Sequence, residues 1–163
     1  EYRRQRQMCI RDRDESFRIV EQLDLEKFEI WYMSYNGNPK SWYRVDRFLH
    51  RVPYEKTPEV YAACDILLKT SLLESFSYPP LEMMASGGYV VAVPNGGNLE
   101  YLKDGENCIL YPQGNLAEAK AAIERILTDA ELRKKLDTGA EETVKERNWK
   151  RIEPQILEQY LGK

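Results

Sequence analysis

Histidine and cysteine are scarce, with one His and three Cys in 163 residues. Cys9, Cys64 and Cys108 form neither a CxxC pair nor an even set, which excludes a disulfide framework and zinc sites built on paired ligands. Scattered single cysteines are those of a reduced, cytoplasmic protein, and the apolar neighbours of Cys64 and Cys108 point to buried packing. Long hydrophobic runs are also missing. Tyr89-Val90-Val91-Ala92-Val93 is typical of the longest, far short of the roughly 20 apolar residues of a membrane-spanning helix. Neither sign of charge dominates, and a net charge of −3 gives no argument for nucleic acid. No G-x-G-x-x-G follows a strand and no P-loop is present, which sets aside a dinucleotide-dependent oxidoreductase. What is there, 42% hydrophobic and 31% charged residues, is the composition of one globular domain.

Residues 1–13 stand apart from the rest. Five Arg against Glu1 and Asp12 give them a net charge of +3 and leave −6 for the remainder. They show no helical stripe, no strand alternation and no glycine. Read as native, the stretch is a basic arm able to reach phosphates. It also resembles translated sequencing-adapter read-through, which implies a non-native or disordered segment and a gene that continues upstream of Asp14. No function is assigned to it. The expected domain is 14–163, truncated at its N-terminal side.

From Asp14 onward strands and helices alternate. Ser16 can cap a helix through Leu23, and Phe28–Met33 reads as a strand closed by the turn Asn36-Gly37-Asn38-Pro39. A second strand is predicted over Val45–His50, a helix over Pro58–Cys64 and a strand over Ile66-Leu67-Leu68. Pro79 and Pro80 suit the first turn of a helix that Gly87-Gly88 ends. Tyr89–Val93, a helix around Leu99 and a short strand over Cys108–Tyr111 follow. Three helices close the chain, with apolar faces Leu116/Ala119/Ile123/Ile126/Leu127, Leu132/Leu136/Ala140/Val144 and Ile152/Ile156/Leu157/Tyr160. Short apolar strands between helices predict an α/β fold: a Rossmann-like, doubly wound parallel sheet with C-terminal helices. The charged outward faces between Glu118 and Arg151 read as solvated surface.

Ligands of such a sheet bind beyond the carboxyl ends of the strands, which selects the loops 50–56, 70–79 and 94–98. The middle loop leads into a helix whose first turn is expected to carry Glu82, eight residues after Glu74. Backbone N–H groups at such a helix start suit phosphate, whereas carboxylates beside a phosphate are better used on hydroxyls. Phosphate on amides with hydroxyls on carboxylates describes a nucleotide-sugar site. The bland alternative makes Glu74 a solvated loop residue and Glu82 a helix-dipole partner.

Ala63-Cys64-Asp65-Ile66-Leu67-Leu68, the stretch from Glu74 to Gly87, Val90–Val93 and Gly96-Gly97 together resemble the C-terminal domain of glycosyltransferase family 4, retaining enzymes of the GT-B fold. Glu74 and Glu82 match the Glu-x7-Glu signature of that family. Glu100-Tyr101-Leu102, Asp104–Asn107, Asp129–Arg133 and Trp149 agree as well, so the resemblance covers about residues 28–161. It implies that Glu82 holds the ribose hydroxyls of a nucleoside-diphosphate sugar and that Glu74 faces the transferred sugar. The backbone of Ser75, Phe76, Ser77 and Tyr78 would meet sugar and diphosphate, and His50, Arg51 and Val52 would wall the nucleobase. His50 reads equally well as plain packing. Gly96 and Gly97 fit either close backbone approach or a tight turn.

The resemblance further implies no metal and no cofactor beyond the donor substrate. It implies a glycan or lipid-linked acceptor held by a separate N-terminal domain, and a cytoplasmic enzyme able to sit peripherally at the inner membrane face. The chain alone is expected to transfer no sugar. Two departures matter. Ser75 and Ser77 replace the usual glycines, implying either backbone strain or a loop that bends differently, and a smaller sugar pocket. Pro80 removes a possible donor. Ser-Tyr-Pro-Pro-Leu-Glu is similar to bacterial polysaccharide enzymes that include rhamnosyltransferases, so a deoxy sugar is one expectation. The serines also leave open a non-catalytic nucleotide-sugar-binding or docking module.

Overall fold

The computed structural model describes residues 6–11 and 14–161 apart from residue 25. Six parallel strands form one sheet in the order β3-β2-β1-β4-β5-β6, with β1 Arg6–Arg11, β2 Phe28–Ser34, β3 Arg47–His50, β4 Ile66–Lys69, β5 Tyr89–Ala92 and β6 Ile109–Leu110. The helices are α1 Asp14–Val20, α2 Thr57–Ala63, α3 Tyr78–Ala85, α4 Leu116–Thr128, α5 Ala130–Glu146 and α6 Trp149–Leu161. This is the doubly wound α/β arrangement, with the strand order reversing between β1 and β4.

Alternation along each strand divides the core in two. Ile30 and Tyr32 of β2, Ile66 and Leu68 of β4 and Val91 of β5 pack with Phe17, Ile19, Ile123 and Ile126 from α1 and α4 on one face. Trp31, Met33, Leu67, Val90 and Ala92 face the other way, against Tyr61, Met83, Met84 and Ala140 from α2, α3 and α5. Both faces are covered, which is why these strands read as nearly unbroken apolar runs.

Local chemistry sets the helix ends. Asn115 Oδ1 accepts from Glu118 N at 3.1 Å while its Nδ2 donates to Glu118 Oε2 at 2.8 Å, a reciprocal cap on α4. Asp129 caps α5 through Leu132 N at 2.9 Å. Pro79 and Pro80 occupy the start of α3, where their missing N–H groups cost nothing, and Gly87 at φ +80° turns the chain out of it.

Three expectations need correction. The sequence reading gives residues 1–13 no strand, yet the backbone of Arg6–Arg11 pairs with both β2 and β4. Facing parallel edges demand a strand between them, and this demand prevails over weak local patterning. Residues 1–5, 12 and 13 lie outside the described residues. No regular helix forms around Leu99: Gly96 to Tyr101 make successive turns, with the Asn95 side chain accepting from Gly97 N and Asn98 N and the Asn98 side chain from Asn95 N. β3 is shorter than predicted and begins at Arg47; just before it, Asp46 N donates to the Ile30 carbonyl at 2.9 Å while Ile30 N donates to the Asp46 carboxylate at 2.8 Å.

Gly139 lies within α5 where a Cβ would come to 2.3 Å from the Glu106 carbonyl oxygen. On propensity alone, Gly to Ala inside a helix is stabilising by about 1 kcal/mol. Here the clash is with backbone, so Gly139→Ala is expected to destabilise by about 1–3 kcal/mol. Urea unfolding followed by circular dichroism measures it.

Candidate functional site

The carboxyl ends of the strands around the reversal open into a cavity of about 580 Å³, within the usual size of a small-molecule site. One wall is the end of β2 and its loop, Tyr32 to Asn36; the other is Lys69, Glu74 and Phe76 with Tyr78, Pro79 and Glu82 at the start of α3; Tyr54 and Thr57 complete it.

Lys69 closes the apolar strand β4 and is only 2% exposed. Its Nζ donates to Glu74 Oε1 at 2.6 Å and to Ser71 Oγ. A buried ammonium in such a place requires partners of this kind. Glu74 sits on the loop that links β4 to α3, and two further elements fix that loop. Asn95 Nδ2 donates to the Ser71 carbonyl at 2.8 Å, while Asn95 Oδ1 accepts from Gly97 N and Asn98 N at 3.0 Å. Asn98 Nδ2 donates to the Val93 carbonyl at 2.9 Å, securing the 94–98 loop to the end of β5. Gly97 lies so close that a Cβ would be 2.4 Å from the Glu74 carbonyl oxygen. Tyr101 donates its hydroxyl to the Ser77 carbonyl from below, and burial raises its pKa above the ordinary tyrosine value.

The structure brings Glu74, Phe76, Tyr78 and Glu82 to one cavity. Glu82 lies one turn into α3 rather than in its first turn, because the helix begins at Tyr78. Tyr78 and Glu82, four residues apart, therefore share a face. Ser75 is exposed and Ser77 fully buried, and neither lines the cavity. Neither has a positive φ, so the loop seats both without backbone strain and without narrowing the pocket. The Ser77 hydroxyl makes no hydrogen bond.

His50, Arg51 and Val52 also lie off the cavity lining. They stand behind it: Arg51, at φ +51°, donates its N–H to the Ser34 carbonyl at 3.0 Å, and Tyr35 donates its hydroxyl to the Val52 carbonyl at 2.6 Å. His50 stacks on Phe48 with ring centroids 5.6 Å apart. Tyr35 lines the cavity in their place, as does Tyr54, which is 77% exposed. Gly96 has no heavy atom within 4 Å of a Cβ position, so of the two glycines only Gly97 is required by close approach.

The family model of glycosyl transferases group 1 matches residues 46–143, a stretch that holds both carboxylates and the loops after β3, β4 and β5. The chain belongs to the group 1 glycosyl transferases. It is 35% identical over 117 residues, 70% of its length, to the O-antigen biosynthesis protein RfbC of Myxococcus xanthus, of which it covers 9%. It is 30% identical over 116 residues, 71% of its length, to the D-inositol 3-phosphate glycosyltransferase of Thermomonospora curvata, covering 27% of that protein. In fold it is similar to Anabaena HepE in complex with UDP-glucose, with a TM-score of 0.81 at 21% identity, over 98% of this chain and 49% of the other. The chain therefore spans well under a third of the curated relatives named here, and the sheet and its helices are those of a GT-B C-terminal, Rossmann-like domain.

Sequence reasoning about this glycosyl transferase domain misses Lys69, Tyr35, Tyr54, Asn95 and Asn98. A lysine ending an apolar strand was the one available signal, since such a position is normally apolar or solvated. The asparagines act through hydrogen bonds between loops, which no local pattern announces. Gly97→Ala is expected to cost about 1–3 kcal/mol of stability by pushing the Glu74 loop away. Gly96→Ala is expected to stay within about 0.5 kcal/mol of the parent. Paired urea titrations of the two variants check this.

Proposed function

We propose that this chain is the donor-binding half of a retaining glycosyltransferase of family 4 that uses a nucleoside-diphosphate sugar. The observation that carries the reading is that Glu74 and Glu82, from a loop and a helix, line one cavity at the carboxyl ends of the strands beside the start of α3. In this reading the ribose hydroxyls donate to Glu82 and the sugar hydroxyls to Glu74. The diphosphate lies toward the dipole at the start of α3 and the loop amides that precede Pro79, and the base rests on the Tyr35 and Tyr54 side. Gly96 and Gly97 serve by letting the 94–98 loop approach.

The transfer forms a bond between an acceptor oxygen and the anomeric carbon and breaks the bond to the diphosphate on the same face. The departing phosphate oxygen takes the acceptor proton, so neither carboxylate becomes a covalent nucleophile. The acceptor is a glycan or lipid-linked glycan held outside this domain, and the setting is bacterial surface polysaccharide synthesis in the cytoplasm. The likeness to an O-antigen biosynthesis protein supports that setting. Among the described residues no helix is long and apolar enough to cross a membrane. The serine replacements that would favour a non-catalytic module lie outside the cavity wall and give that reading no weight.

Ligand-observed NMR on the full 163-residue chain, with UDP, GDP, dTDP and their sugars, tests the proposal. The full chain is used because β1 lies between β2 and β4. One nucleotide is expected to bind selectively, and Glu82→Ala to weaken it at least about tenfold, the loss of a charge-assisted hydrogen-bond acceptor. A folded chain that binds none of them, or an unaffected variant, would overturn the assignment.

A further inference from the structure

We infer that Lys69 is a positioning residue that acts through Glu74, an inference that rests on the cavity's being a nucleotide-sugar site. Lys69 ends the strand run Ile66-Leu67-Leu68, all of it buried, and its side chain is 3% exposed against 29% for Glu74. The ammonium therefore lies in the wall and the carboxylate stands in front of it, toward the cavity. Packing alone would be served by an apolar residue at the end of this strand, at no cost in ion desolvation.

Lys69 instead holds Glu74 Oε1 at 2.6 Å and is itself steadied by Ser71 Oγ. Ser71 in turn gives its carbonyl to Asn95 Nδ2. The chain of contacts runs from the 94–98 loop through Ser71 and Lys69 to one oxygen of the carboxylate. Two consequences follow from the geometry. Rotation of the carboxylate is arrested, so the orientation offered to a sugar hydroxyl is set before the sugar arrives. The charge of one of the two cavity carboxylates is balanced locally, which lets a diphosphate approach. Among the described residues that line the cavity, Lys69 carries the only positive charge. A cation that met the diphosphate directly would need to stand in front of Glu74 rather than behind it.

A role through Glu74 makes a specific demand: the contribution of Lys69 must vanish when Glu74 is neutralised, and must concern the sugar rather than the nucleotide. The experiment is a double-mutant cycle on the 163-residue chain with Lys69→Met, Glu74→Gln and the double variant. Affinities for UDP-glucose, GDP-mannose and dTDP-rhamnose are compared with those for UDP, GDP and dTDP by ligand-observed NMR, after circular dichroism confirms folding. Lys69→Met is expected to lower nucleotide-sugar affinity at least about tenfold when Glu74 is present and less than about twofold beside Glu74→Gln, a coupling of the size seen for residues in direct contact. Lys69→Arg keeps the charge but alters the contact, and guards against a Lys69→Met chain that does not fold. It is expected to lose affinity for the nucleotide sugar while holding that for the bare diphosphate within about twofold. Equal losses in both Glu74 backgrounds, or parallel losses for sugar-bearing and bare diphosphates, would overturn the inference and make Lys69 a structural or phosphate-contacting residue. Failure of the unsubstituted chain to bind any of these ligands would instead overturn the donor-site reading, and this inference with it.

Discussion

A backbone contact that only glycine permits holds the candidate site together. Gly97 lies against the Glu74 carbonyl so closely that a Cβ would sit 2.4 Å from its oxygen. That proximity lets the loop after β5 act as a buttress for the loop after β4, and the asparagine pair Asn95 and Asn98 locks the buttress to itself, to Ser71 and to Val93. Preorganisation of this kind matters because a carboxylate that must orient a hydroxyl is useful only if it does not have to be ordered by the ligand. The interloop contact thus connects the packing of the sheet to the chemistry available at its end.

The position of the site follows from the sheet. With strand order 3-2-1-4-5-6, the helices leaving β1 and β4 pass to opposite faces, and a crevice opens where they part. The two apolar clusters on either side of the sheet hold those helices in place, so the loop ends are fixed by the core beneath them. The crevice combines an aromatic wall, two carboxylates and a helix start. That set suits a ligand with a flat ring, several hydroxyls and a negative charge, and a nucleoside-diphosphate sugar has all three.

The alternation of strands and helices was legible in the sequence because β2, β4 and β5 are buried on both faces and each late helix carries a clear apolar stripe. Glu74 and Glu82 were legible because their spacing brackets a loop and a helix start with two prolines. Lys69 was not. A charge at a strand end looks solvated until the topology shows that this end faces a crevice and that Glu74 covers it. The 50–52 stretch, which the family resemblance sets against a nucleobase, lies off the cavity lining; its Val52 carbonyl accepts from the Tyr35 hydroxyl and Arg51, at φ +51°, donates to the Tyr35 carbonyl. β1 was illegible because its pairing depends on the two strands beside it rather than on a pattern of its own.

The most direct measurement is protein-observed chemical-shift mapping of the 163-residue chain as nucleoside diphosphate sugars are added. The donor-site reading predicts that perturbed amides gather at residues 74–82 and 34–36, with Tyr54 included and the α4–α5 surface silent. Perturbations that gather instead in the apolar groove between α3 and α6, around Leu81, Val144 and Trp149, or that spread over the surface without a centre, would contradict it.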